Sequence, residues 1–479
     1  MQITKRDFLK KLGLVSAVGA TGAVFGDEYV PDNSKLIPGS IGNPARPRWA
    51  NLMFPLPHTV QDGPSCFLKD GKVCEPAHEL PVFHETDVVV VGGGPAGFAA
   101  AVSAARTGAK VALVEAAGSL GGLFTNGMVL IMLATSRKES GGGWTLVTRG
   151  LCEEFMHRAE ALGSHACGTG GKKRASKKGH YQPTVDPEAA KYLMDRMIAE
   201  SKVEMFFRAM GVDVIQDGDR VLGVVFESKQ GRQAILAKQV VDCTGDADML
   251  FRAGGDYRQI THGIGHCVRL GNMDRITAKA APKGADGKPL PGKWPTRSNE
   301  GNPSTWWGNT GPGPKGNGLD IRDVTAAEIG FRKEWWEHVA KMRQTPGWEQ
   351  VFLANTCSII GPRVTRLVDC ETVLSRKQIH EQTYDLSQPL GWCGFDTPHQ
   401  AFAVPWRCIV PKKVENLVVA GRCLGTGDSC DTFRLICPCF VTGQAAGVAA
   451  ALAAKKGIAP RTLAYSELKL TLEAQKVYL

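Results

Sequence analysis

Apolar positions along the chain fall into a few sharply bounded blocks. Asp87-Val88-Val89-Val90-Val91 is a β-branched apolar run, the pattern of a parallel strand buried on both faces. The stretch Gly92-Gly93-Gly94-Pro95-Ala96-Gly97 follows at once. An Ala-rich segment then predicts a helix from about Ala96 to Thr107, ended by Gly108. A second strand is expected over Lys110–Val114, finishing at Glu115. Val221–Phe226 and Ala234–Val241 also read as strands, and the second leads into Asp242-Cys243-Thr244-Gly245-Asp246-Ala247-Asp248. Glu415–Arg422 reads as a buried strand ending at Gly421. After a loop, Pro438–Gly447 opens an Ala-rich helix that runs to about Ala454. A further helix is expected over roughly Val324–Met342.

The N-terminal segment follows a different pattern. Thr4-Lys5-Arg6-Asp7-Phe8-Leu9-Lys10 precedes a modestly apolar, Gly/Ala-rich stretch from Leu12 to about Phe25. It resembles a twin-arginine export signal, with Lys5-Arg6 in place of the usual arginine pair. Residues 1–26 are therefore expected to direct the protein to a periplasmic or extracellular location. The stretch is short and Gly-rich for a membrane span, which needs about 20 apolar residues. No other apolar run approaches that length by this reading, so no integral span is expected in the mature chain. Residues 27–83 are rich in Pro, Gly and Asn and read as an extended arm.

Composition narrows the class. With 43% hydrophobic and 22% charged residues, the chain has the make-up of a globular protein, and its 479 positions suffice for one large domain or two or three ordinary ones. The formal net charge is +10. Part of it sits in one Gly/Ser-rich stretch holding Lys172, Lys173, Arg174, Lys177 and Lys178. No aromatic residue is interleaved there to stack on bases, so a solvated loop is expected and a nucleic-acid partner is not. The 14 cysteines form no CxxC pair and no ferredoxin-type run, so no metal or cluster site is expected. Cys66 and Cys74 are close enough in sequence to close a small loop.

The first block carries the chemistry of a dinucleotide site. Gly92 makes the turn out of the strand, Gly94 lets the backbone approach a pyrophosphate, and Gly97 lets helix and strand pack closely. Pro95 and Ala96 open the helix, whose N–H groups and dipole favour phosphates. Glu115, 23 residues after Gly92, stands where a carboxylate can accept from ribose hydroxyls. Just beyond it, Gly121-Gly122 is a glycine pair of the kind that lets a chain pass along a flavin, which favours FAD over NAD. Thr244-Gly245-Asp246 reads as the chain returning to touch the cofactor. Gly421-Arg422 and Gly443-Gln444-Ala445-Ala446 are expected at the flavin, where a helix N-terminus can stabilise negative charge.

Taken together, these blocks resemble the FAD-dependent oxidoreductase family that includes the flavin subunit of heterodisulfide reductase. The resemblance runs from about Glu85 to Ala454, through Thr86–Glu115, Leu120–Gly127, Val185–Val214, Val240–Gly255, Ile360–Arg366, Val404–Pro411 and Asn416–Gly447. It implies an α/β chain with a Rossmann-like FAD-binding domain of the glutathione-reductase type and an inserted α+β substrate domain. Residues 84–255 and 401–479 would form the first domain, and 256–400 the second. The resemblance adds Val214 to the expected cofactor contacts. The cysteine-cluster motifs of the heterodisulfide reductase subunit are absent from this sequence, so no iron–sulfur cluster is implied.

Catalytic candidates lie where these motifs meet the middle domain. Arg434 is placed to hold an anionic substrate or the reduced flavin. His399, in Asp396-Thr397-Pro398-His399, is the general acid/base candidate. Arg363 and Arg366 match a family arginine pair suited to bidentate binding of a carboxylate, and Arg407 is a weaker candidate. Trp294, Trp306, Trp307, Trp335, Trp336 and Trp348 fall in the substrate domain. Trp306-Trp307, in a Gly/Pro/Asn-rich stretch, reads as an exposed loop able to stack on a sugar, whereas Trp335-Trp336 reads as core. No second glycine loop follows a strand, which argues against a separate NAD(P)H domain. The expected activity is a dehydrogenase passing hydride from a small hydroxylated or amine substrate to flavin N5, then electrons to an external acceptor. A flavin reductase of an unsaturated or oxidised acceptor, and a non-catalytic flavin-binding partner protein, remain the competing readings.

Overall fold

The computed structural model describes residues 66–140, 143–168, 182–394 and 401–479. The Val-rich run becomes β1 (Val82–Val91), and its last four residues are almost inaccessible to solvent. The glycine loop leads into α1 (Pro95–Arg106), then β2 (Val111–Glu115). Later come β3 (Glu204–Phe207), β4 (Met210–Asp217), β5 (Arg220–Ser228) and β6 (Gly231–Asp242).

These strands build a seven-stranded sheet in the order β4-β5-β6-β1-β2-β3. The remaining strand, Leu417–Val419, adds to β6. It, β6, β1, β2 and β3 run parallel, whereas β4, β5 and the first half of β6 form an antiparallel meander. Parallel strands need both faces covered. The Ala-rich C-terminal segment supplies one cover as the helix Ile436–Lys456, packed along α1. It is the one described helix long and apolar enough to cross a membrane, contrary to the sequence expectation that no such run follows the N-terminus. Nearly all of it lies buried inside the protein, as a core helix should. Phe440, on this helix, joins Phe98, Phe124 and Phe155 in a cluster of edge-to-face and tilted rings with neighbouring centroids 5.3–6.0 Å apart.

A second layer hangs from the sheet. Strands β7 (His262–Gly271), β8 (Thr305–Gly316) and β9 (Phe352–Thr356) pair antiparallel, and Gly361–Pro362 joins β7. The 23-residue helix Ile321–Arg343 packs on this sheet through Phe331, Trp335, Val339 and Met342. Trp294, Trp335 and Trp348 form the centre of a separate core here, with Trp306 packed on its edge.

Several expectations change. Trp306-Trp307 lies within β8, not in an exposed loop, because the strand pairs with β7 across Leu270 and Arg269. The Trp307 indole N–H donates to the Met128 carbonyl. Of Trp335-Trp336, only the first is core, and Trp336 is 70% exposed. The arm expected to reach residue 83 ends earlier, since β1 begins at Val82 and a hairpin joins Phe67–Lys69 to Lys72–Cys74. Cys66 and Cys74 are free thiols. Val368, Cys370, Leu374, Leu390 and Cys393, expected in the substrate domain, belong to the main core under the sheet. The N-terminal signal and the Lys172–Lys178 cluster lie outside the described residues.

Candidate active site

The first part of the site is the turn from β1 into α1. A Cβ on Gly97 would lie 1.7 Å from the Gly92 carbonyl oxygen, so only glycine lets the helix start this close to the strand end. Gly94 is the opposite case: a Cβ there meets nothing within 4 Å. Its surroundings are open, and among the described residues no side chain caps the α1 N-terminus. Unclaimed N–H groups facing open space are what a diphosphate needs. Glu115 closes the other side. It accepts hydrogen bonds from the Gly93 N–H at 2.5 Å and the Ala117 N–H at 2.6 Å. Burial raises its pKa, with the two amide bonds opposing. Gly121 donates its N–H to the Gly93 carbonyl at 2.8 Å, and Gly122 packs against Gly94. Gly92, Gly94, Pro95, Ala96, Gly97, Glu115, Gly121 and Gly122 are thus brought together as expected, and the cradle fits the ribose and diphosphate of a dinucleotide.

The second part joins the sheet to the upper layer. Asp242, at the end of β6, is fully buried and accepts from the Thr244 N–H, the Thr244 hydroxyl and the Leu250 N–H. Burial pushes its pKa up to about 6. This tight turn presents Gly245 and Asp246 to Arg422, which donates to the Gly245 carbonyl at 3.0 Å and pairs with Asp246 at 2.7 Å. Arg422 also donates to the Pro362 carbonyl. Its guanidinium is therefore a bolt between the two layers. Thr365 donates to the other Asp246 oxygen at 2.5 Å.

The third part is a cavity of ≈70 Å³ between the layers, lined on its polar side by His266, Asn309, Arg363, Arg422 and Arg434. Leu123, Val129, Cys267 and Ile436 give it apolar walls. Ile436 is the first residue of the buried C-terminal helix, here α2 (Ile436–Lys456), whose N-terminus also has no side-chain cap among the described residues. His266 is 2% exposed and stacks on Phe331, with centroids 4.8 Å apart and planes 17° apart. Burial, reinforced by Arg332, pulls its pKa down to about 4, so the imidazole is neutral at physiological pH. Arg434 donates to Asp431 from two nitrogens, at 2.7 and 2.6 Å. Burial raises the Asp431 carboxyl's pKa, but Arg434 above all, then His262 and Arg363, bring it below its usual range. Asp431 is also the centre of the His262, Cys430 and Asp431 group, whose ligand atoms lie within 4.8 Å of one another. Arg434, and Arg376 at 3.9 Å, pair with the same carboxylate.

Other expected residues are placed differently. His399 lies outside the described residues. Arg366 does not reach the cavity's lining; it pairs with Asp248 at 2.7 Å and stacks over Phe251 at 4.3 Å. Arg407 pairs with Glu371 and donates to the Arg461 carbonyl, a link within the main core. Val214 is mid-strand in β4, opposite Val224, and packs on the core from the meander. Gly443, Gln444, Ala445 and Ala446 are not at a helix start, because α2 begins at Ile436. Gly443 instead faces α1, where a Cβ would lie 2.1 Å from the Ala96 carbonyl oxygen. Gln444 accepts from the Leu151 N–H at 2.9 Å, and Ala445 and Ala446 are fully buried. Gly421 stays at the site: it receives the close approach of Ala96, and its N–H donates to the Thr442 hydroxyl at 3.2 Å. His266 and Asn309 were not legible as site residues. Both lie in strands of the upper layer, and only the pairing of β7 with β8 brings them to the cavity.

The family described as FAD dependent oxidoreductase matches residues 87–472. Dihydrolipoyl dehydrogenase from Trypanosoma brucei brucei is 56% identical over 47 residues, 10% of this chain and 10% of that protein. The chain thus spans about a tenth of the length of that relative. Among solved structures, THI4 from Thermovibrio ammonificans is 23% identical, with 36% of this chain and 64% of that one covered and a TM-score of 0.27. A geranylgeranyl bacteriochlorophyll reductase-like protein from Thermoplasma acidophilum is 13% identical over 82% of this chain and 84% of that one, with a TM-score of 0.39.

Proposed function

The chain belongs to the FAD-dependent oxidoreductase family, and from that premise we propose that it is a dehydrogenase for a small hydroxylated or amine substrate. FAD is its cofactor and it is an enzyme; the substrate and the direction of electron flow are the proposal. When bound, the flavin supplies a two-electron acceptor that takes hydride. The residues supply the rest. Glu115 and the α1 N-terminus hold the ribose and diphosphate end, and the uncapped start of α2 supports negative charge at the other. The meander beside the parallel strands favours the glutathione-reductase type of flavoprotein fold.

The observation that carries the reading is His266, a neutral imidazole in the same small cavity as Ile436 at the α2 start. As the substrate C–H leaves as hydride, the O–H or N–H proton passes to an imidazole nitrogen of His266. An external acceptor would then take the electrons. The N-terminal segment is proposed to export the folded protein, which a reporter fused after residue 30 tests by its location: a cytoplasmic reporter overturns it.

The test of the activity is purification with its flavin, followed by anaerobic mixing with a panel of sugars, alcohols, amines and acids. Bleaching of the visible flavin band by a panel member supports the dehydrogenase. No bleaching by any of them overturns it.

A further inference from the structure

The charges around the cavity do not balance. Arg422 is matched by Asp246 at 2.7 Å, and Arg434 by Asp431 at 2.6 Å. Arg363 lines the same cavity and, among the described residues, has no carboxylate of its own. Its buried Nε has no hydrogen-bond partner among them. The carboxylate acting on it is Asp431, already held by Arg434 and approached by Arg376 and His262 at 3.9 Å each. Burial first, and Arg434 second, hold the Arg363 guanidinium below its ordinary range. An uncompensated guanidinium in a half-buried cleft is costly unless something else supplies the charge.

We propose that Arg363, beside Arg434, binds the carboxylate of the substrate, so that the substrate is a small hydroxy acid or amino acid. The cavity sets the size. Arg363 and His266 line one cavity of ≈70 Å³, so the substrate is small. A carboxylate seated on the Arg363 fork therefore leaves its own α-carbon beside His266 and the α2 start. The guanidinium is planar and offers two parallel donors, which suits a carboxylate better than a neutral hydroxyl. Arg366 is excluded from this role by its pairing with Asp248. The apolar walls, Leu123, Val129 and Ile436, accept a short side chain. Oxidation of such a substrate removes a hydride from the α-carbon to the flavin and a proton from its O–H or N–H to His266. The product is a 2-oxo acid, or an imino acid that water hydrolyses to one.

The proposal rests on the dehydrogenase reading but is tested without turnover. The oxidised FAD-loaded protein is titrated with lactate, alanine and the neutral 1,2-propanediol, and binding is read from the visible flavin spectrum and by calorimetry. Lactate or alanine binds saturably to wild type, and at least about 30-fold more weakly to Arg363→Met, the fold-change for losing one partner of a desolvated charge pair. Arg363→Lys recovers part of the affinity, and propanediol binds both proteins alike. Since Arg363 has no carboxylate of its own among the described residues to abandon, Arg363→Met keeps its FAD content and does not melt below wild type. Equal carboxylate binding in wild type and Arg363→Met overturns the proposal. So does a wild type that binds neither acid, including the case in which Arg363→Met only lowers the flavin potential, which would make the reduced flavin the missing anion. So does a melting temperature that falls in Arg363→Met with FAD lost, which would make the residue structural. If lactate binds but no panel member bleaches the flavin, the dehydrogenase reading fails and anion recognition stands. If a neutral alcohol bleaches it while no carboxylate binds, the reverse holds.

Discussion

Gly443→Ala separates a cofactor contact from a packing seam. A methyl at 443 would sit 2.1 Å from the Ala96 carbonyl oxygen and 2.7 Å from the Ala96 carbonyl carbon and Cα. These are backbone atoms of α1, which cannot turn aside as a side chain could. One turn further along α2, a Cβ on Gly447 would meet the Ala100 carbonyl oxygen at the same 2.1 Å, so the two helices are in register along a continuous seam. The helices must part by about 1 Å to reach ordinary contact, opening voids on either side, and overpacking of this kind costs roughly 1–3 kcal/mol or more. Alanine recovers about 1 kcal/mol of helix propensity. With a cost at or above the upper end, because backbone must move, the net is a loss of about 2 kcal/mol. At roughly 2–4 °C per kcal/mol for a large domain, the melting temperature falls by about 4 °C or more. The assay is thermal unfolding of both the FAD-loaded protein and the protein stripped of FAD. The loss appears in both if the seam is the cause. An unchanged melt of the stripped protein, with weaker FAD binding, refutes the packing argument and returns Gly443 to the flavin.

Gly94→Ala is the converse: with nothing within 4 Å of the added methyl and an ordinary negative φ, the stripped protein should melt as wild type while FAD affinity falls at least tenfold, by roughly 1.4 kcal/mol, in fluorescence titration. Asp242→Ala leaves the Thr244 and Leu250 N–H groups without their acceptor and should cost about 2 kcal/mol or more in denaturant unfolding. His266 gives a pH dependence of known sign. Its pKa falls from 6.5 unfolded to about 4 folded, so both states are neutral above 6.5, and between 6.5 and 4 only the unfolded state takes up the proton. Its contribution is whole above 6.5 and is lost as pH falls through about 4, up to about 3 kcal/mol. His266→Gln should flatten that part of the wild-type stability profile.

The dinucleotide end of the site was legible because its chemistry is local. Gly92–Gly97 and Glu115 are close in sequence, and each residue type answers to one steric or hydrogen-bonding need. Strand β1, helix α1 and strand β2 follow from an apolar run and an Ala-rich segment. The substrate end was legible only in part, because it is assembled from β7, β8, Arg363 and the start of α2, which only tertiary pairing brings together. Arg363 and Arg434 were readable as cations near the right motifs. His266 sits in a strand with no local signal that distinguishes it from a packed core histidine. Gly443–Ala446 misled for a definable reason: a glycine in an Ala-rich helix reads the same whether it approaches a ligand or another helix. Trp306-Trp307 misled because its Gly- and Pro-rich flanks signal a loop, whereas pairing with β7 makes them a strand.

The most direct test of where substrate meets flavin is the rate of anaerobic flavin reduction in His266→Ala. With a substrate that bleaches the wild-type flavin, reduction should slow by about 100-fold or more. FAD content and the affinity of the oxidised protein for that substrate should stay as in wild type. Reduction of His266→Ala at the wild-type rate would contradict the placing of the chemistry in the cavity between His266, Arg363 and the start of α2.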